Sequence, residues 1–545
     1  MSENPQAEKR PLTGIFWFPV IVATVIILPI LWQGMFLDDW IFLKTLRAPI
    51  DGLPPVWDLY RLIPIELETI NEWRAVGNLP WWTDPELRIA FLRPIPSMLM
   101  AIDNAVWGDF WAGYHIHTLI WHTLFLVAGV LCINAMAHKE SVVRLATWIF
   151  CLENAHFVTA SWWSNRHALV TGTFALICLW LHLRGKRSLS VVFYILALLS
   201  GEFALAIVGF LIALVIFPRS NRLAEAQRSW PHIIISLIYA GVYVVFERGV
   251  SGSAFYLDPV HATGEYLQAL PQRWLMLFGE MFHQLPSDVA FVGMGPFLAA
   301  IGLLVLVLVL WRGRRPLDWV LLGASLSLLP AIGAPAAGRM LLLASVGSAV
   351  WLASYILELR EYRPITSRLF LGWTLTVPPI LGLAMLFSMK QVGIKSEGSA
   401  QDALTHCPGS EEVWILNPPD HIVGFYLPIL QEQALKHQRQ RIRALTMGNR
   451  PVEYRLLDGR LELRSEELFF DAQLELFWNL APEPEFSVPN SFQISVSDHS
   501  LWASSPHFGT ADSPCLLQWK ESSLQPVAIM ESWQFIGQSP SPSGL

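Results

Sequence analysis

The chain has 545 residues, 53% of them hydrophobic and 15% charged, with a net charge of −7; soluble domains carry roughly 25% charged residues. With a mean hydropathy of +0.42, this composition excludes an ordinary soluble enzyme. It predicts a polytopic membrane protein with no nucleic-acid partner expected; the net charge says little, because membrane proteins place charge by side and not by sum.

The first 14 residues, with Lys9 and Arg10, read as a cytoplasmic tail. An apolar run of about 23 residues follows, Ile15 to Leu37, long enough to span a bilayer. No small-residue cleavage site follows it, so it is expected to stay as an anchor. Directly on it comes Phe36-Leu37-Asp38-Asp39-Trp40. Adjacent carboxylates at a membrane exit repel each other and are costly to desolvate. They suit the handling of a cation, a phosphate-sugar or a proton, although two solvated loop acids fit the pair equally well.

Further apolar runs are Tyr114–Ala137, Leu145–Ala160, Ala168–Leu183, Ser190–Phe217, His232–Phe246, Phe291–Trp311, Trp319–Ile332, Met340–Leu357 and Leu369–Met389. Basic clusters separate them, among them Lys139/Arg144, Arg184/Lys186/Arg187, Arg219/Arg222/Arg228, Arg312/Arg314/Arg315 and Arg360/Arg363/Arg368. The positive-inside rule places all of these on the cytoplasmic side. Ser190–Phe217 therefore enters and leaves on one side, which predicts two short spans hinged at Ser200-Gly201-Glu202. Pro94–Trp107, which contains Asp103, and Trp274–Leu285 are too short to cross and read as interfacial or re-entrant helices. The predicted fold is an all-α polytopic bundle over residues 15–389 with about eleven spans. Its large outer loops are 38–113 and 249–290, its N-terminus is cytoplasmic, and twenty-five tryptophans supply interfacial belts.

Residues 390–538 change character and predict a soluble extracytoplasmic α+β or mainly β domain. Val413–Leu416 and Phe492–Val496 read as strands and Phe425–His437 as a helix. Val452–Leu457 and Arg460–Arg464, around Asp458-Gly459, read as a hairpin. The tail 539–545 reads as disordered. Cys132, Cys151 and Cys178 fall in apolar runs and read as small core residues. Cys407 and Cys515 are free to pair if the domain is extracytoplasmic. No zinc-type spacing is present.

Polar residues at membrane edges are costly and mark candidate sites. On this topology they gather on the outer side: Asp38 and Asp39; Arg93 before Pro94; His115 and His122 on one helical face; Asn154 and His156; Arg166 and His167; Glu202; Arg339. Each has a plainer reading. His117 is a packing residue, Arg166 fits an interfacial snorkeller, and Glu202 fits a turn cap. Taken together they outline an outward polar pocket suited to a polyprenyl-phosphate sugar. Arginines grip the phosphate and stabilise its growing charge, and a carboxylate takes the acceptor's proton. There is no glycine-rich phosphate loop for a nucleotide sugar.

Over roughly residues 15–360 the chain resembles the GT-C polytopic glycosyltransferases, closest to the membrane half of the tetratricopeptide-carrying O-mannosyltransferases and their bacterial relatives. The likeness rests on Phe36-Leu37-Asp38-Asp39, Leu92-Arg93-Pro94, Gly113-Tyr114-His115 with His122, His156-Trp162-Arg166, Leu199-Ser200-Gly201-Glu202, and Gly338-Arg339-Met340 leading to Ser345-Val346-Gly347. Thr118 stands where the family has Asn and Gly201 where it has Lys. The family's Glu after the His156 position is absent, with Val158 and Thr159 in that region, and no tetratricopeptide repeats follow.

The resemblance implies an inverting hexosyltransferase of the plasma (inner) membrane, working on the outer leaflet. Its co-substrate is a polyprenyl-phosphate-linked monosaccharide, and its acceptor is a glycan, a lipid or a protein. Asp38 or Asp39 acts as catalytic base; Arg93, Arg166 and Arg339 contact the donor phosphate; His115, His122, His156 and Glu202 shape the pocket. A divalent cation stays open, with Asp38 and Asp39 as its candidate ligands. The alternative is a non-catalytic transporter or assembly factor that handles polyprenyl-linked glycans.

Overall fold

The computed structural model describes residues 14–47, 54–63, 67–75, 77, 79–218, 221–253, 256–288, 293–312, 317–418, 426–427, 429–431, 440–446, 452–466, 485–488, 492–497, 500–506, 508, 513–520, 523–527, 532 and 534–536. The expected cytoplasmic tail and the tail 539–545 lie outside the described residues, as does most of the helix expected over Phe425–His437.

The helices in chain order begin with α1 (Gly14–Ile26), α2 (Asp38–Arg47), α3 (Leu67–Ala75), α4 (Pro94–Trp107), α5 (Trp111–Met136) and α6 (Glu140–Cys151). Next come α7 (Asn154–Ser161), α8 (Arg166–Leu183), α9 (Arg187–Leu198), α10 (Ile207–Ile216) and α11 (Arg222–Val245). The last are α12 (Thr263–His283), α13 (Gly295–Trp311), α14 (Asp318–Ser327), α15 (Ala344–Tyr362) and α16 (Pro364–His406). Three helical stretches among the described residues are long and apolar enough to cross a membrane: Trp111–Met136, Trp163–Leu183 and Pro364–His406. Shorter apolar helices accompany them, including Trp17–Trp32, Glu202–Ile216 and Gly295–Trp311.

Local chemistry explains where these helices start and stop. Pro94 opens α4 because its missing N–H costs nothing in a first turn. The single run expected over Leu145–Ala160 is instead two helices, α6 and α7. Glu153 sits at the break, and its side chain accepts the Asn154 N–H at 3.1 Å as an N-cap. The break expected at Ser200-Gly201-Glu202 is present between α9 and a 3-10 turn over Glu202–Ala206. Gly201 is needed there, since a Cβ on it would lie 2.8 Å from Thr171 Oγ1. The last apolar run, expected to end at Met389, continues as helix to His406. Hydropathy reports where lipid ends, not where helical hydrogen bonding ends. Gly409, at φ +78°, follows shortly after the end of α16.

The chain divides into two compact units, one of residues 1–34, 92–246 and 267–387 and the other of residues 35–91, 247–266 and 388–545. The core of the first unit is formed by α5, α6, α8, α10, α14 and α15, through Phe125, Phe150, Leu176, Phe210, Val320 and Val346.

The second unit holds the strands. Strands β1 (Arg61–Ile63), β2 (Arg88–Ala90) and β3 (Gly249–Ser251) form one antiparallel sheet. In the C-terminal part, β4 (Glu412–Ile415) pairs in parallel with β5 (Arg441–Ala444). The hairpin expected around Asp458-Gly459 is β6 (Val452–Leu457) and β7 (Arg460–Arg464), with both turn residues at positive φ as a type I′ turn requires. The remaining strands are β8 (Glu485–Val488), β9 (Phe492–Val496), β10 (Ser500–Ser504), β11 (Cys515–Lys520), β12 (Ser523–Pro526) and β13 (Gln534–Ile536). They complete a six-stranded sheet, β13-β6-β7-β10-β9-β8, and a four-stranded one, β12-β11-β4-β5. Trp414 is fully buried in their core with Trp81, Trp82, Leu463, Phe492 and Leu501. The chain is therefore an α-helical membrane-associated region with a β-rich C-terminal part.

Cys407 and Cys515 are disulfide-bonded, and Cys132, Cys151 and Cys178 are free and buried. Thiol titration of the denatured chain should count three groups before reduction and five after it. Cys407→Ala should lower the stability of the C-terminal part by about 2–5 kcal/mol, read from its thermal unfolding.

Candidate functional site

In the first unit, Arg93 stands immediately before α4 and is buried. Its Nε donates to Glu202 Oε2 at 3.1 Å, its Nη2 pairs with Glu202 Oε1, and its Nη1 donates to His167 Nε2 at 3.0 Å. The His167 ring stacks on Phe203, with centroids 6.0 Å apart. Arg93 and Arg339 both act electrostatically on His167. Arg339 is half-buried, with its guanidinium 5.5 Å from the Trp162 ring centre. No carboxylate pairs with Arg339 among the described residues. The sequence neighbours Ala168, Phe203 and Met340 line one small apolar pocket. Four site residues are thus brought together: Arg93, His167, Glu202 and Arg339.

Arg166 is held differently. It is 2% exposed and pairs with Asp103, which is 1% exposed. Asp103 also accepts the Trp163 indole N–H at 2.9 Å and lies 2.5 Å from His117 Nδ1. His117 Nε2 in turn accepts the Trp121 indole N–H at 3.1 Å. One carboxylate on α4 therefore ties in α5 and α8. His117, expected to be a packing residue, is a polar partner in this knot.

His115 Nε2 is 2.7 Å from the Gly34 carbonyl, so that nitrogen donates and the tautomer is set. His122 and His156 come together, with ring centroids 6.5 Å apart. His156 also packs edge-on against Phe150 and Phe125, at 4.8 and 5.0 Å, and its Nε2 lies 3.4 Å from Ser345 Oγ. Both ring nitrogens of His122 lack a protein partner.

Asp38 and Asp39 belong to the second unit, where they open α2. Asp39 is fully buried, and its Oδ2 accepts the Phe36 N–H at 2.9 Å. This closes the tight turn in which Leu37 sits at φ +43°. Asp38 accepts the phenol O–H of Tyr426. Burial, and then the Asp38 charge, hold the Tyr426 hydroxyl well above its ordinary value near 10. Among the described residues no group of three or more His, Cys, Asp or Glu side chains is arranged to hold a metal ion.

Sequence reading missed the Asp103 and Tyr426 partnerships. A carboxylate inside an apolar helix signals a buried partner, but which arginine it takes is a matter of helix packing. Tyr426 carries no local signal at all.

No protein-family model matches the chain, and no curated protein matches it. Among solved structures, it is similar to ArnT from Cupriavidus metallidurans bound to undecaprenyl phosphate, at 13% identity and a TM-score of 0.41, over 80% of this chain and 90% of that one. It is also similar to the Archaeoglobus fulgidus oligosaccharyltransferase tethered to an acceptor peptide, at 12% identity and a TM-score of 0.33, over 76% of this chain and 63% of that one.

Two outcomes follow from the geometry. Asp103→Ala strands a buried guanidinium and should cost about 3–5 kcal/mol. The paired change Asp103→Leu with Arg166→Met should recover most of it, as read from unfolding in detergent. For Tyr426, a raised folded-state value means the folded chain keeps a proton that the unfolded chain releases. Its contribution is full below about pH 10 and is lost as pH rises beyond that. The stability gap between the natural chain and Tyr426→Phe should therefore be flat from about pH 8 to 10 and shrink above it.

Proposed function

We propose that the chain is an inverting glycosyltransferase that moves a monosaccharide from a polyprenyl-phosphate donor to an acceptor on the outer face of the plasma (inner) membrane. The proposal includes about eleven spans, a cytoplasmic N-terminus, a transmembrane region over 15–389 and an extracytoplasmic domain over 390–538. The disulfide supports that placement of the domain, because such bonds are rare in the reducing cytosol.

One observation carries the reading. Arg93 hydrogen-bonds His167 and Arg339, far off in the chain, lies within electrostatic reach of the same ring, while Arg339 keeps its charge free of a carboxylate among the described residues. A half-buried guanidinium of this kind grips a phosphate strongly and stabilises the negative charge that builds as the phosphate leaves. Glu202 orients Arg93, and His167 is placed to hydrogen-bond donor oxygens. The buried pair of Arg166 with Asp103 supports a bracing role for this arginine rather than direct phosphate contact. His115, His122 and His156 shape the surrounding helices.

The acidic-pair resemblance assigns the base to Asp38, with Tyr426 setting its orientation. In a single displacement the acceptor oxygen bonds to the anomeric carbon as the carbon–oxygen bond to phosphate breaks. The bonding electrons leave with the phosphate, the acceptor hydroxyl proton passes to Asp38, and configuration inverts. Asp39 holds the turn.

The test is transfer from a panel of radiolabelled polyprenyl-phosphate hexoses by the full-length protein in lipid nanodiscs. Asp38→Asn should lower kcat about 10²–10⁴-fold, and Arg339→Ala should lower kcat/KM about 10²–10³-fold. Donor consumption that is unchanged in both variants, or absent in the natural chain with every donor, would favour a non-catalytic protein instead.

A further inference from the structure

The buried polar atoms that the glycosyl-transfer reading does not use gather at the C-terminal end of α12. Glu280 is fully buried; its Oε2 accepts the Ser287 N–H at 2.8 Å, while Oε1 has no protein partner. Asn154, also buried, donates its Nδ2 to the Gln284 carbonyl at 3.2 Å and leaves Oδ1 without one. The Gln284 amide and the Ser287 hydroxyl are fully buried and likewise have none. Interior polar atoms nearly always have a partner, and where protein supplies none it is water or an ion.

Gly338 shows where two of these atoms point. A Cβ built on it would lie 2.8 Å from Glu280 Oε1, 3.4 Å from Asp288 Oδ2 and 3.5 Å from Asn154 Oδ1. Oxygens from α12, from the segment after it and from α7 thus lie together beside the Gly338 backbone, where a side chain would crowd them. Asp288 Oδ2 also accepts the Gly338 N–H at 2.8 Å. No lysine, arginine or histidine pairs with Glu280 or Asp288 among the described residues. Glu280 is fully buried and Asp288 half-buried, and neighbouring carboxylates without a counter-charge are relieved by a shared proton or by a positive ligand.

We propose that Glu280, Asp288 and Asn154 form a binding site for one small hard divalent cation of the Mg²⁺, Mn²⁺ or Ca²⁺ class, held between their oxygens beside Gly338. All the donors are oxygens, with no thiolate or imidazole, which selects hard cations over zinc or copper. Only two of the donors are ionisable; the third is an amide oxygen, and water completes the shell. The site does not depend on the glycosyl-transfer reading. It does stand one residue from Arg339, so an ion there would stiffen the turn that presents that guanidinium.

The experiment is Mn²⁺ titration of the full-length, chelator-stripped protein in detergent, followed by electron paramagnetic resonance. The natural chain should bind a single equivalent. Glu280→Gln, which keeps shape and hydrogen bonding, should weaken binding about tenfold or more by removing one anionic ligand. Gly338→Ala should weaken it by at least as much, because the new methyl would lie 2.8 Å from Glu280 Oε1 and displace that ligand. Asp38→Asn should bind as the natural chain does. Gel filtration and thermal unfolding of each variant separate lost folding from lost binding. No bound Mn²⁺ in the natural chain, meaning that buried water alone occupies the space, would overturn the proposal. So would binding unchanged in a folded Glu280→Gln, or binding lost in Asp38→Asn instead.

Discussion

The first unit depends on one buried ion pair, Asp103 with Arg166. Taking both charges out of water costs several kcal/mol each, and the cost is recovered only if every remaining valence is filled. Asp103 fills its own with the Trp163 indole and the His117 ring. Three helices are thereby fixed in register, because sliding any one of them would strand a charge in a low-dielectric interior. The neighbouring elements inherit that register. The start of α8 places His167, the start of α4 places Arg93 against it, and the turn before α10 brings Glu202 to Arg93.

The second unit solves the same problem with different chemistry. Arg443 is buried, donates to Glu412 Oε1 at 2.7 Å and reaches the carbonyls of Arg74 and Ala75. Burial depresses its guanidinium, and the Glu412 charge opposes that shift. Arg74 in turn donates twice to the Trp81 carbonyl, at 3.0 and 2.8 Å. Two arginines therefore lace the segment before Trp81 to β5, over a core whose largest members are tryptophans. The link from Cys407, just past the end of α16, to β11 adds a covalent limit on how far the unfolded chain can spread.

The three arginines grade by neutralisation, and this grading is the chemical content of the site. Arg166 is buried and ion-paired with Asp103, although its Nη1 has no hydrogen-bond partner among the described residues. Arg93 shares its charge between Glu202 and His167. Arg339 rests on an aromatic face, with no carboxylate among the described residues. A guanidinium already paired in the interior has little left for a ligand. One held by a ring keeps its charge and is only loosely hydrated, which is the state that favours capture of an oxyanion.

The sequence by itself determined the features that depend on near neighbours. The apolar runs, the Pro94 start of α4, the break at Ser200-Gly201-Glu202, the Asp458-Gly459 hairpin and β9 were all legible, because periodicity, caps and turn residues act over a few positions. The polar residues of the site were legible too, since each is costly in an apolar setting and stands out. Only the tertiary structure decided the pairings. Asp103 takes Arg166 rather than Arg93, Asp38 meets Tyr426, and oxygens of Glu280, Asp288 and Asn154 come together beside Gly338. Those outcomes turn on distances between segments tens to hundreds of residues apart, and such distances are fixed by how whole helices and strands pack.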